Sequence, residues 1–219
     1  MTTVRIHLTR HGEVFNPDGI LYGRIPGYGL SDTGRAMAER LGEWFPENTE
    51  AIRALVQSPL QRAQETMAPI ARALDMDPVT DERVIEAANQ FEGLKVAQDV
   101  KKPANLVKVY NPFRPSWGEP YVEQVHRMRA AMATLRTRLT GIARAEGLDT
   151  VEGVVVSHQL PIWVTRLAAE GRPLWHDPRK RECALASVTS FTFSDATLED
   201  MLYTDVCADL QPQKAVPGA

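Results

Sequence analysis

His11 stands beside Arg10 at the end of a short alternating apolar run, Val4-Arg5-Ile6-His7-Leu8, and is followed by Gly12 and Glu13. The alternation predicts a β-strand over Val4–Thr9. A strand ending in Arg-His-Gly sets an imidazole and a guanidinium at the mouth of a sheet, where Gly12 lets the chain turn sharply. An imidazole beside a fixed cation is a poor place for a proton and a good place for an anion. That pairing points to chemistry on a phosphoryl group, with His11 as nucleophile.

Two further junctions carry polar groups of the same kind. Ser58 and Arg62 follow the apolar run Ala51–Gln57, and Ser157-His158 follows Val151–Val156. In an open α/β sheet, ligands bind at the carboxyl ends of the strands. If these strands are parallel, the three junctions converge on one pocket holding two histidines and two arginines. Helix N-termini around it would also favour anions. Arginine suits the task because its planar fork matches phosphate oxygens.

The elements that must position these groups alternate between strand and helix patterns, which predicts an α/β fold with a mainly parallel sheet. Ser31 is a good N-cap for a helix through about Phe45, with Ala36, Leu41 and Trp44 on its buried face and Pro46 as its stop. Ser58-Pro59 reads as the opening of a second helix, serine as N-cap, carrying Ala63, Thr66, Ile70 and Leu74. Val84-Ile85-Glu86 reads as a short extended piece. A long helix is predicted from about Tyr121 to Ala145, with Val125, Met128, Met132, Leu135, Leu139 and Ile142 at helical spacing, and another from Pro161 to about Ala169. Late strands are predicted at Val188–Phe193 and Leu202–Val206. Between the first strand and first helix, Asn16 to Leu30 is rich in glycine and proline and reads as a wall of the site, with Gly23 as a binding candidate. Residues from about 94 to 120 break the alternation and read as a small insertion.

The chain has 219 residues, 43% of them hydrophobic and 24% charged, with a net charge of −3. This is the profile of an ordinary globular protein, expected here as a single domain over residues 1–210 with a flexible tail at 211–219. The charge gives no general pull toward nucleic acid or membrane, so any anion site must be local. Cys183 and Cys207 are too few for a disulfide framework and fit free thiols. The N-terminus runs into the first strand without an apolar signal-peptide core, and a cytoplasmic protein is expected.

Taken in order, these segments resemble the histidine phosphatase superfamily, also called the phosphoglycerate mutase-like family. The resemblance rests on Arg10-His11-Gly12-Glu13, Leu30-Ser31-Asp32-Thr33-Gly34, Ser58-Pro59-Leu60-Gln61-Arg62-Ala63-Gln64-Glu65-Thr66, Val84-Ile85-Glu86 with Phe91-Glu92-Gly93, and Val156-Ser157-His158. It implies a three-layer α/β/α sandwich with helices on both faces of a mostly parallel sheet. It also implies that His11 carries a phosphohistidine, that Arg10, Arg62 and His158 bind the phosphoryl oxygens, and that Glu86 is the acid and then the base. No cofactor and no metal are expected, because the arginines and second histidine do the neutralising. The expected partner is a small phosphate ester, neither nucleic acid nor membrane, with a homodimer left open. The sequence departs from the family at Gln159, where members carry glycine, and at Val14, where many carry serine or threonine. Asn16 lies one residue short of a common phosphate-contacting asparagine. Asn16 and Gln159 join Gly23 as substrate-binding candidates.

Other groups admit plainer readings. His7 and His11 share a zinc-pair spacing, but the strand pattern opposes a helix there, and His7 reads as structural. Glu92 is the rival to Glu86 for the acid role. Lys95, Lys101, Lys102 and Lys108, and the run Arg179-Lys180-Arg181, read as solvated surface. His126 reads as exposed and His176 as loop surface. A phosphomonoesterase is preferred over a phosphoglycerate mutase, because the insertion is short and the tail rich in proline and glycine. An inactive phospho-ligand binder is the third alternative.

Overall fold

A computed structural model describes residues 2–95, 99, 111 and 117–212. Its strands are β1 (Thr3–Arg10), β2 (Ile52–Gln57), β3 (Val79–Thr80), β4 (Thr150–Ser157), β5 (Val188–Ser194) and β6 (Thr197–Thr204). Its helices are α1 (Asp32–Asn48), α2 (Gln61–Leu74), α3 (Tyr121–Glu146) and α4 (Gln159–Ala169). The six strands form one mixed sheet in the order β3-β2-β4-β1-β5-β6. The first four are mutually parallel, and β5 and β6 run antiparallel as an edge hairpin. The arrangement is an α/β sandwich.

Alternation along β1 and β4 divides the core. Val4, Ile6 and Leu8 pack with Met128, Leu135 and Leu139 of α3 and Ile162 of α4 on one face. On the other, Leu55, Val154 and Val156 meet Met37, Leu41 and Phe45 of α1 and Met67 and Ile70 of α2. The central strands are covered on both sides, as expected of parallel strands fed by helical crossovers. No helix among the described residues is long and apolar enough to cross a membrane.

Several boundaries differ from those expected of the sequence. Pro46 does not stop α1, which continues to Asn48. The carbonyls of Trp44 and Phe45 are taken by Asn48 Nδ2 at 2.8 Å and Thr49 Oγ1 at 2.6 Å, so the last turn is closed by side chains. Leu41 is buried as expected, but Ala36 is exposed and Trp44 half-buried, and Met37, Ala38 and Phe45 face the core instead. Ser58 is not an N-cap: α2 opens at Gln61 behind Leu60, and Ser58 is engaged elsewhere. Glu82–Val84 is a 3-10 turn capped by Asp81, leaving only Ile85 extended before Glu86. The last strand begins at Thr197 because Asp195, at φ 51°, and Ala196 make a tight hairpin turn. Most of the expected insertion, with Lys101, Lys102 and Lys108, and the tail beyond residue 212 lie outside the described residues.

Candidate active site

The carboxyl ends of β1, β2 and β4 bring Arg10-His11, Ser58 with Arg62, and Ser157-His158 together. His11 is held by the ends of the neighbouring segments: its N–H donates to Ser157 O at 3.2 Å, and its carbonyl accepts from Ala186 N at 3.3 Å. Ala186 is fully buried at φ 54°, an unfavourable conformation for a residue with a Cβ, held in place by this packing. After His11 the chain presses against the first turn of α1. A Cβ on Gly12 would lie 2.6 Å from Gly34 O, and one on Gly34 would lie 2.0 Å from Glu13 O, so both positions need glycine for close approach. Ser31 seals this contact, accepting from Gly34 N at 3.0 Å and donating to Glu13 Oε2. Thr66 of α2 accepts from Gly12 N at 3.0 Å.

The ring of His11 is fixed in one tautomer. Its Nδ1 lies 2.8 Å from Gly12 O, which can only accept, so Nδ1 carries the proton and Nε2 keeps a lone pair. Arg62 Nε donates to that Nε2 at 3.2 Å. Arg62 is 1% exposed; its Nη2 donates to Gly23 O at 2.7 Å and its guanidinium lies 4.8 Å from the centre of the Tyr22 ring. Gly23, at φ 39°, has no room for a side chain, because a Cβ would sit 2.2 Å from Glu92 Oε1. Arg10 reaches across to Cys183 O with Nη1 at 2.7 Å. His158 stands with its ring centre 5.1 Å from that of His11, and its Nε2 pairs with Ser58 Oγ at 2.7 Å.

Arg10 and Arg62 are held by neutral acceptors rather than carboxylates, so their charge stays available to a ligand. Arg10 Nε and His158 Nδ1 are buried and lack a hydrogen-bond partner among the described residues. Orphaned buried polar atoms are costly unless a bound group completes them. Burial, then the Arg62 and Arg10 charges, hold His11 well below the usual imidazole range. Burial, Arg62 and His11 do the same for His158. Both rings are therefore neutral near pH 7, and His11 keeps its nucleophilic lone pair.

Arg10 and His11 line a cleft of about 90 Å³, together with Tyr22, Gly23, Glu86 and Gln159, and Arg62 and His158 stand against His11 behind that lining. Glu86 enters from a segment pinned by three bonds: Ser157 Oγ to Val84 O at 2.7 Å, Arg127 Nη1 to Arg83 O at 2.7 Å and Arg24 Nε to Glu86 O at 2.7 Å. Glu92 does not line the cleft; its Oε1 accepts from Arg24 N at 3.0 Å and buttresses the Gly23 loop. Gln159, the first residue of α4, has ordinary helical backbone, so glycine is not required there. Asn16 does not line the cleft, because its amide closes the turn on Ile20, donating to Ile20 O at 2.8 Å and accepting from Ile20 N at 3.1 Å. A larger groove of about 460 Å³ between α3, α4 and the β5–β6 hairpin is mainly apolar and holds none of these side chains.

Arg181 departs from the surface reading of its basic run. Arg179 and Lys180 are exposed, whereas Arg181 turns inward and lines the cleft. His176 is half-buried against Tyr121 and Trp163 and holds Arg181 from behind. Tyr22 and Arg181 carried no periodic signal in the sequence; loop residues reveal their direction only once the sheet is assembled. His7 lies under the site, bonded to Glu152 Oε2 at 2.7 Å and Ser190 Oγ at 2.8 Å. Its ring packs edge-on against Phe45, in the structural role expected of it. Lys95 is exposed beside Asp18, and His126 is exposed on α3.

Comparison with known proteins agrees with this geometry. Residues 6–205 match the model of the histidine phosphatase superfamily (branch 1). The uncharacterized protein Rv0525 of Mycobacterium tuberculosis is 47% identical over 207 residues, covering 93% of this chain and 97% of that protein. Among solved structures, the fold is shared with mycobacterial glucosyl-3-phosphoglycerate phosphatase Rv2419c, at TM-score 0.69 and 24% identity over 87% of this chain and 90% of that one. It is shared also with mycobacterial hydrolase 1, at TM-score 0.72 and 23% identity over 92% of this chain and 96% of that one. With its family's model matched over almost its whole length, this chain belongs to the histidine phosphatase superfamily, branch 1.

Proposed function

We propose that the protein is a phosphatase that hydrolyses a small phosphate monoester through a phosphohistidine on His11. The observation that carries this reading is the His11 ring, with Nδ1 tied to Gly12 O and a lone pair on Nε2 facing Arg62 Nε at 3.2 Å. A neutral, oriented imidazole beside fixed cations has what nucleophilic attack on phosphorus requires.

In the first step, His11 Nε2 forms a bond to phosphorus and the ester P–O bond breaks. Glu86, in its acid form, gives its proton to the departing alcohol oxygen. Arg10, Arg62 and His158 take the phosphoryl oxygens and stabilise their charge; neutral neighbours hold all three in place, and Arg62 Nε exchanges His11 Nε2 for a phosphoryl oxygen. In the second step, Glu86 accepts a proton from water as the water oxygen bonds to phosphorus. The P–Nε2 bond breaks, returning His11 and releasing phosphate. The two arginines do the neutralising and His158 adds a hydrogen bond, so the scheme calls for no metal.

The test is a panel of phosphate monoesters, 3-phosphoglycerate among them, assayed for free phosphate and for isomerised product. Phosphate release that disappears in His11→Ala supports the reading. Isomerisation without release would replace it with a mutase, and binding without either activity would leave an inactive binder.

A further inference from the structure

Arg181 is a cation in the cleft that the phosphoryl-transfer scheme does not use. Its Nε donates to His176 Nε2 at 2.8 Å and its Nη1 to Gln159 Oε1 at 3.1 Å. Both partners are neutral acceptors, and no carboxylate pairs with Arg181 among the described residues. Its Nη2 has no acceptor among those residues. A guanidinium half-withdrawn from water normally carries an acid partner, because desolvating an unpaired charge is costly.

The two acceptors are themselves fixed. His176 Nδ1 donates to Leu174 O at 2.7 Å, which leaves Nε2 as the acceptor that Arg181 needs. The His176 ring lies between Tyr121 and Trp163, with ring centres 5.5 and 6.1 Å away. Gln159 Nε2 donates to Cys183 O at 3.4 Å, the carbonyl that also takes Arg10 Nη1 at 2.7 Å. Gln159 and one carbonyl therefore couple Arg181 to a phosphoryl-binding arginine. Arg181 and Arg10 line the same narrow cleft. Burial draws the Arg181 guanidinium down from its ordinary value, with Arg10 adding to the effect against Tyr121 and Glu86. The cation is maintained against that cost in a preorganised place.

We propose that Arg181, held by His176 and Gln159, binds a second anionic group of the substrate, so that the preferred ester is a phosphomonoester carrying a carboxylate or a second phosphate close to the ester oxygen. The inference rests on the phosphatase reading of the same cleft. It also gives the departure at Gln159 a role, since glycine there could not hold the guanidinium.

The test is calorimetric binding to His11→Ala protein, which does not consume ligand. Three ligands are compared: glycerol 1-phosphate, 3-phosphoglycerate, which replaces a hydroxymethyl with a carboxylate, and glycerol 1,3-bisphosphate. The expected result is about 10- to 100-fold tighter binding of at least one ligand with a second anionic group than of glycerol 1-phosphate, the scale of a charge-assisted pair. Which of the two gains identifies the second group. Adding Arg181→Gln should collapse the preference, and Arg181→Lys should restore it only in part, because an ammonium cannot reach both His176 and Gln159. Equal affinities in the parent protein, which involve no change at Arg181 and so no question of misfolding, overturn the proposal. So does a preference that survives Arg181→Gln. Phosphate release by the unaltered protein is read separately: its absence counts against the phosphatase reading, while release without an anion preference counts against Arg181 alone.

Discussion

Arg62 Nε and His11 Nε2 face one another at 3.2 Å, the arginine donating to the lone pair of the imidazole. A bound phosphoryl group must come between or beside them, so the arginine that orients the nucleophile also becomes a ligand for the oxygen it attacks past. Arg62→Gln should therefore lower kcat by about 10²–10³, the scale of losing one preorganised charge donor. Steady-state kinetics on any accepted ester checks this. Because Arg62 also holds Gly23 O, limited proteolysis of the loop around Gly23 should become faster in the same variant.

Glu86→Gln separates proton transfer from attack on phosphorus. The variant should lose at least about 10² in kcat on an alkyl phosphate, whose alkoxide leaves poorly without a proton. It should lose far less in the first step with p-nitrophenyl phosphate, whose phenolate leaves unaided. Burst kinetics with both esters reads the difference; equal losses would take Glu86 out of the acid role.

Ser58→Ala tests the support of His158. Ser58 Oγ lies 2.7 Å from His158 Nε2, and with its proton given to that nitrogen the proton of His158 sits on the otherwise unpartnered Nδ1, as a donor. Losing the hydroxyl should reduce kcat about tenfold or more and cost about 1 kcal/mol of stability. Kinetics and urea unfolding check the two parts.

The site histidines make a signed statement about pH. The folded-state pKa values of His11 and His158 are both depressed well below 6.5. Between the folded and unfolded values the unfolded chain binds more protons, so stability rises with pH. Their full contribution is present above about 6.5 and is lost as pH falls through the folded values. Thermal melts should show Tm falling on acidification below that point, and the fall should be shallower in the double variant His11→Gln, His158→Gln. The acid limb of kcat/KM should likewise lie below the ordinary imidazole value.

Much of this arrangement is legible in the sequence. The apolar runs ending at Arg10, Gln57 and Ser157 are buried parallel strands, and that parallelism suffices to gather Arg10, His11, Arg62 and His158 at one edge. What escaped depends on direction rather than pattern. Ser58 has the composition of an N-cap, but the nearby His158 is a stronger partner than an open helix end. Pro46 reads as a stop, yet Asn48 and Thr49 close the turn after it. Arg181 shares its run with two solvated cations, and only the fold shows that it alone turns toward Gln159. Asn16 sits beside the motif in sequence, but its own loop takes its amide.

Gly34→Ala tests whether the close approach of α1 places His11. The added Cβ would fall 2.0 Å from Glu13 O, where backbone rather than a mobile side chain must yield. A loss of about 1–3 kcal/mol follows from overpacking, or about 2–4 °C in Tm per kcal/mol at this chain length. Turnover should fall as well, because the displaced segment carries Gly12, whose carbonyl fixes the nucleophile's tautomer. Differential scanning and kinetics on one preparation check both.

The central claim is the covalent phosphohistidine, and rapid quenching reads it most directly. The protein is mixed with an ester labelled at phosphorus, quenched in base within milliseconds to seconds, digested, and the label located by mass spectrometry. The account predicts an acid-labile, base-stable phosphoryl group on His11 that forms before product accumulates and is absent in His11→Ala. Turnover with no label on the protein, or turnover retained in His11→Ala, would contradict it.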